Sequence, residues 1–105
     1  MFQAVVLDVA VNTETLTGNK TLTLDDKQVQ ALDPGGAGRT ISLPVANDES
    51  KGASFFIKNT ADAAEVLTIK DQAATPATIC TPTQSESAIV FCDGTNWHGL
   101  VGANN

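Results

Sequence analysis

The chain has 105 residues, and six basic against twelve acidic side chains give it a net charge of −6. With 42% hydrophobic and 17% charged residues, the composition indicates one small globular domain and excludes an intrinsically disordered chain. An acidic chain offers no basic surface to a phosphate backbone, and no stretch approaches the ~20 apolar residues of a membrane span. We therefore expect neither a nucleic acid nor a membrane as a partner.

The opening of the chain is apolar on both faces of a potential strand. Residues 2–11 suit a strand that is covered on both sides or paired with another chain, and the polar residues 12–15 are typical of a hinge. We predict an N-terminal strand or arm at residues 1–14 and a β domain at residues 15–105. The segment is either the first strand of the domain's own sheet or an arm that docks on a neighbour. Its candidate interface residues are Phe2, Val5, Leu7 and Val9.

Apolar and polar residues then alternate with a period of two, which predicts half-buried strands between turn-forming residues. The predicted strands are residues 20–24, 28–32, 39–43, 53–58, 67–70, 77–80, 88–92 and 96–101. Strands at about ten-residue spacing favour an all-β fold, a small antiparallel sandwich or barrel. Short helical turns capped by Asp25 and Thr60 remain the alternative at residues 27–32 and 61–65.

The strand phase separates core residues from candidate interface residues. We expect the inward face to carry Phe55, Ile57, Leu67, Ile69, Ile89 and Phe91. The residues between them then point outward, where they can contact a partner or another subunit. These outward candidates are Phe56, Val66 and Val90.

Residues suited to catalysis or metal binding are sparse. His98 is the single histidine, and the acidic pairs at residues 25–26 and 48–49 are typical of solvated turns. The glycine-rich residues 33–39 lack the Lys-Ser/Thr ending of a phosphate-binding loop, so we expect a hairpin loop there. No catalytic residue, metal ligand or cofactor is predicted.

Two cysteines allow a disulfide bridge as one of two alternatives. If the strands that end at Cys80 and Cys92 form a hairpin centred on Glu86, the two thiols lie opposite each other. Two free thiols are the other alternative, because nothing in the sequence indicates an oxidising compartment.

The segment at residues 93–97 is the most distinctive local motif. Asp93 and Gly94 predict a tight hairpin turn, and Trp97 follows where its ring can pin the hairpin to the domain or to a neighbouring chain. A sugar site, with the indole stacking on a pyranose beside Asp93 and Asn96, is the alternative.

Several short segments together resemble tailed-phage virion proteins. They are residues 21–23, 25–26, 30–33, 40–44, 55–57, 67–69 and 90–97. Such patterns occur in small capsid decoration (cement) proteins and in modules of tail fibres, and the resemblance covers residues 15–101. A chain of this length is more similar to a decoration protein than to a fibre.

The resemblance implies a non-enzymatic β-tulip-like or jelly-roll-like protein that binds the outer surface of an expanded phage head. Its implied partners are the major capsid protein and further copies of itself, commonly as a homotrimer, and its location is the virion surface after assembly in the host cytoplasm. A receptor- or glycan-binding tail module is the alternative that the resemblance leaves open.

Overall fold

A computed structural model describes residues 10–103, which form strands, turns and loops and no helix. The all-β prediction is confirmed, and the helical turns considered after Asp25 and Thr60 do not form. No helix in this part of the chain is long and apolar enough to cross a membrane. Residues 10–103 contain nine strands: β1 (Val11–Thr15), β2 (Lys20–Thr21), β3 (Val29–Asp33), β4 (Arg39–Ser42), β5 (Ser54–Asn59), β6 (Leu67–Lys70), β7 (Thr78–Cys80), β8 (Ser87–Cys92) and β9 (Trp97–Gly102).

The strands form two mixed sheets. The five-stranded sheet has the order β1-β3-β5-β8-β9, and the four-stranded sheet has the order β2-β4-β6-β7. From β1 to β6, consecutive strands belong to different sheets. Each of these strands therefore runs in the same direction as the preceding strand of its own sheet. The β1–β3, β3–β5, β2–β4 and β4–β6 pairs are therefore parallel, and only the pairs made by β7, β8 and β9 are antiparallel. The expectation of an antiparallel fold was wrong for this reason.

The hydrophobic core contains side chains from both sheets. Leucine and isoleucine dominate it, since the chain has few aromatic residues. The buried cluster is Leu16, Leu22, Leu32, Ile41, Leu43, Phe55, Ile57, Leu67, Ile69, Ala88, Val90, Cys92 and Trp97. The strands that supply this cluster direct one face inward and leave the other outward.

Residues 12–15 were expected to form a hinge, but they belong to β1. The side-chain amide of Asn12 donates to the Gln30 side chain at 2.8 Å, and Glu14 pairs with Lys20 at 3.0 Å. Two polar side chains of this segment, Asn12 and Glu14, thus find partners inside the fold, while Thr13 and Thr15 are exposed. The proposed boundary at residue 14 falls within a strand of the domain, while Phe2, Val5, Leu7 and Val9 lie outside the described residues.

The glycine-rich loop after β3 connects the two sheets and is not the expected hairpin, since β3 and β4 belong to different sheets. The Asp33 carboxylate accepts the backbone N–H of Gly35, whose φ is +79°. A Cβ at Gly35 would lie 2.2 Å from the Leu16 carbonyl oxygen. Only glycine therefore fits where this loop passes the end of β1.

The predicted Asp-Gly turn does connect two hairpin strands, β8 and β9. The Asp93 carboxylate accepts the backbone N–H groups of Thr95 and Asn96 at 2.8 and 2.7 Å, and Gly94 has a φ of 97°. These hydrogen bonds, and one from His98, hold the pKa of Asp93 well below its ordinary value.

The cysteine hairpin does not form. Cys80 ends β7 in the four-stranded sheet, whereas Cys92 ends β8 in the five-stranded sheet, and both thiols are free. Burial raises the pKa of the Cys80 thiol to about 11, which disfavours the reactive thiolate.

Candidate interaction surface

The most distinctive surface is the outer face of the five-stranded sheet. Strand pairing places Val11 beside Val29, Val29 beside Phe56, Phe56 beside Ile89, and Ile89 beside Leu100. Directly paired residues point to the same face of a sheet, so these five side chains form one continuous line across all five strands. We call this line the apolar row. It consists of Val11, Val29, Phe56, Ile89 and Leu100.

The apolar row is open to solvent. Val11 is 44% exposed, Phe56 40%, Ile89 42% and Leu100 60%, and Val29 is half-buried between its neighbours. Residues of this size are usually buried in a domain, and an exposed contiguous patch of them typically marks a site of interaction.

An aromatic pair on β8 and β9 extends the exposed apolar surface beyond the row. Phe91 is 44% exposed and stacks on the His98 ring with their centroids 5.3 Å apart. The His98 Nε2 atom lies 2.9 Å from a carboxylate oxygen of Asp93 in the hairpin turn. His98 and Asp93 thus form a polar corner where the apolar surface ends.

Among the described residues, the outer face of the five-stranded sheet carries little charge. Besides His98, its outward positions carry two ionisable side chains, Lys58 and Asp33, in a chain with a net charge of −6. Lys58 donates to the carbonyl of Ser85 at 2.9 Å, and Asp33 accepts from the following loop. The acidic residues therefore lie mainly on other parts of the molecule.

The outer face of the four-stranded sheet has the opposite character. Its outward positions carry hydroxyl groups and one lysine, and large apolar side chains are confined to the inward face. The outward residues are Thr21, Thr40, Ser42, Thr68, Lys70 and Thr78. This polar face suits water, so the apolar row distinguishes one side of the domain from the other.

A shallow depression of about 310 Å³ lies beside the centre of the apolar row. Val29, Phe56 and Ile89 form its apolar wall, and Lys58 and Ser87 lie at its other side. It is large enough to receive an apolar side chain from a partner.

Sequence reasoning placed Phe56 correctly on the outer face but gave β8 the wrong phase. Val90 is fully buried, while Ile89 and Phe91 point outward. The reason is the pairing with β5: Val90 lies opposite the inward-facing Phe55, so both must enter the core. Val66 is half-buried just before β6, away from the row.

The other predicted contact residue, Trp97, is in the core. It is 3% exposed, it stacks on Phe55 with the ring centroids 6.1 Å apart, and its indole N–H donates to the Pro44 carbonyl. Of the two alternatives for Trp97, the structure shows the one in which its ring pins the hairpin to the domain, because its partners are within the domain. The same burial leaves no indole face on which a sugar could stack.

One acidic cluster was not foreseen from the sequence. Carboxylate oxygens of Asp33, Asp62 and Glu65 lie within 4.8 Å of one another, and one Glu65 oxygen is buried without a hydrogen-bond donor. Asp62 and Glu65 come from the loop between β5 and β6, and Asp33 from the end of β3, so their sequence spacing gives no signal of the cluster. Like charges at this distance repel each other.

Comparisons with protein-family models, with curated proteins and with solved structures find no match to this chain.

Proposed function

We propose that this chain is a non-enzymatic virion protein that binds the outer surface of a tailed-phage head and stabilises contacts between major capsid proteins. The apolar row on a nearly uncharged sheet face is the observation that carries the proposal, because it fits a protein that works in contact with other protein chains, its own copies included. The largest apolar patch on a soluble protein is often a functional contact site. The resemblance to decoration proteins supplies the kind of assembly.

The fold suits a protein that acts as a passive clamp. Its core draws side chains from both sheets, and we take the arrangement as a β-sandwich. A decoration protein repeats each weak contact many times on a symmetric shell, so modest contacts add up to strong attachment. Such a protein needs a rigid domain with exposed contact surfaces, and it needs no catalytic pocket.

The contact with the capsid protein is assigned to the N-terminal segment. Phe2, Val5, Leu7 and Val9 precede β1, and β1 is an edge strand of the five-stranded sheet. An extended segment that starts at an edge can add to a sheet of a neighbouring protein, which satisfies its backbone groups and buries its apolar side chains. Val66 stays a secondary candidate because part of its side chain is accessible.

Co-sedimentation with expanded phage shells that lack a decoration protein tests this proposal. We expect the full-length chain to pellet with the shells and a variant lacking residues 1–10 to bind much more weakly. The truncated chain should still melt cooperatively, because β1 begins at Val11. Failure of the full-length chain to bind would overturn the proposal, and equal binding by a folded truncated chain would overturn the role of the N-terminal segment.

The alternative of a glycan-binding tail module depended on an accessible Trp97, which is buried. Binding of the full-length chain to host cells but not to shells would favour that alternative over decoration.

A further inference from the structure

The apolar row extends across the whole width of the five-stranded sheet. It begins on the edge strand β1 at Val11 and ends on the opposite edge strand β9 at Leu100. Five strands at a spacing of about 4.8 Å give the row a length of roughly 19 Å. A partner that covers it therefore needs a broad, flat and apolar surface of similar width.

We propose that this partner is a second copy of the same chain, which packs its own apolar row against the first. The resemblance implies further copies of the chain as partners, and this inference goes further by naming the surface that joins them. Self-association of the isolated protein does not depend on a phage head, so the inference can fail or succeed separately from the proposed function.

The charge distribution favours a second copy over a partner of different charge. Two molecules with a net charge of −6 repel each other unless they meet through a face that carries little charge. The outer face of the five-stranded sheet has Lys58 near its middle and Asp33 and His98 at its ends. Contacts between different proteins use complementary charges for attraction, whereas contacts between identical subunits are more apolar.

The exposed apolar area is also suited to self-association. Phe56 and Phe91, at 40% and 44% exposure, each leave about 80 Å² accessible. With Val11, Ile89 and Leu100, the patch reaches on the order of 400 Å². A stable interface buries ~800 Å² per partner, of which about two-thirds is apolar between identical subunits. The patch thus supplies most of the apolar part, and the neighbouring Thr13, Ser54 and Ser87 can supply a polar rim.

The face also carries both a protrusion and a hollow. Leu100 is the most exposed large apolar side chain, at 60%, and the depression beside Phe56 and Ile89 has a volume of about 310 Å³. Each copy can therefore offer a leucine to the hollow of another copy. Contacts of this kind give the good packing that distinguishes a specific interface from a loose one.

Light scattering on the full-length chain over a range of concentrations tests this inference. We expect the wild type to have a mass of at least twice the 10.9 kDa of one chain. Leu100→Lys and Ile89→Lys should weaken association by about 100-fold or more, because each buries an unpaired charge in the interface. Thr21→Lys adds the same charge to the exposed outer face of the four-stranded sheet and should leave the mass unchanged.

The fold of each variant is checked by its thermal melt. Leu100 lies on an edge strand and is largely exposed, so Leu100→Lys decides the question even if Ile89→Lys does not fold. A wild type that stays monomeric at all concentrations would overturn the inference. So would an oligomer whose mass is unchanged in a folded Leu100→Lys variant, since another surface would then hold it together.

Discussion

The indole N–H of Trp97 donates a 2.7 Å hydrogen bond to the backbone carbonyl of Pro44, which lies 53 residues earlier in the chain. Trp97 begins β9 of the five-stranded sheet, and Pro44 follows β4 of the four-stranded sheet. This bond therefore ties the two sheets together at one end of the core.

Replacing Trp97 tests how much this tie contributes. Trp97→Phe keeps an aromatic ring against Phe55 but leaves the buried Pro44 carbonyl without its donor, so we expect a loss of about 1–2 kcal/mol in the free energy of unfolding. Trp97→Ala also creates a cavity and should cost ~3–5 kcal/mol. Urea denaturation measures both, with Leu24→Ala, at a 48% exposed position, as the control. A Trp97→Phe variant as stable as the wild type would contradict the assigned role of the hydrogen bond.

Asn59 is a second buried polar residue with a precise role. Its side-chain amide donates to the carbonyls of Glu65 and Pro82 at 2.8 and 3.1 Å, and its oxygen accepts the N–H of Ala61 at 2.9 Å. Asn59→Asp removes both donors and places a carboxylate against two carbonyl oxygens, so we expect a loss of at least ~3 kcal/mol by urea denaturation at neutral pH.

Asn47→Asp is the matched control for this substitution. The exposed Asn47 side chain accepts the N–H groups of Glu49 and Ser50, a role that a carboxylate also fills. We expect its stability to stay within ~0.5 kcal/mol of the wild type. If both aspartate variants were equally stable, the donor role of Asn59 would be wrong.

The acidic cluster predicts a stabilising substitution. Glu65→Gln removes one of three like charges beside Asp33 and Asp62, and its amide can donate where a buried carboxylate oxygen has no donor. We expect a gain of about 0.5–1 kcal/mol, seen as a higher Tm, whereas Asp48→Asn in an exposed loop should change little. A lower Tm for Glu65→Gln would contradict this. If added calcium raised the Tm of the wild type but not that of Glu65→Gln, the cluster would instead bind a cation.

Stability should fall in acid, because three carboxyl groups have lowered pKa values in the folded protein. Hydrogen bonds from the Asn96 backbone to Asp93, from the Thr83 backbone to Glu86, and from the Asn12 side chain to Glu14 are the main causes. A lowered folded pKa adds stability above the ordinary value, 3.8 for aspartate and 4.5 for glutamate, and this contribution is lost as the pH falls.

Thermal melts across the pH range check this expectation. The Tm should be nearly constant above about pH 5.5 and fall steadily below about pH 4.5. Asp93→Asn should melt below the wild type at neutral pH, and the difference should shrink on acidification. A difference that is independent of pH would mean that the Asp93 charge contributes nothing.

The sequence predicts the strands well because alternation is a local property. The β6 prediction matches Leu67–Lys70, and most of the others differ by one or two residues. Alternation does not encode which sheet a strand joins or in which direction it pairs. β1, β3 and β5 pair in parallel because the chain visits the other sheet between each of them. No local residue pattern specifies this path.

The interaction surface could be predicted only in part. In β8 every residue from Ala88 to Cys92 is apolar, so periodicity gives no phase, and the larger Ile89 and Phe91 are the natural choice for the core. The register with β5 decides the phase by placing Val90 opposite Phe55. The polar residues of β1 were also misleading, because their partners Gln30 and Lys20 become neighbours only in the folded chain.

The positions of β1 and β9 determine how the domain would respond to a pulling force. They are the two edges of one sheet and run in the same direction, since β1, β3 and β5 are parallel and β8 reverses once before β9. A force between the start of β1 and the end of β9 runs diagonally across the sheet, and its component along the strands shears the ladders between them. Shear loads many hydrogen bonds at once, whereas a perpendicular force opens them one by one, so a domain held at these two ends resists extension and yields only through its slow unfolding step.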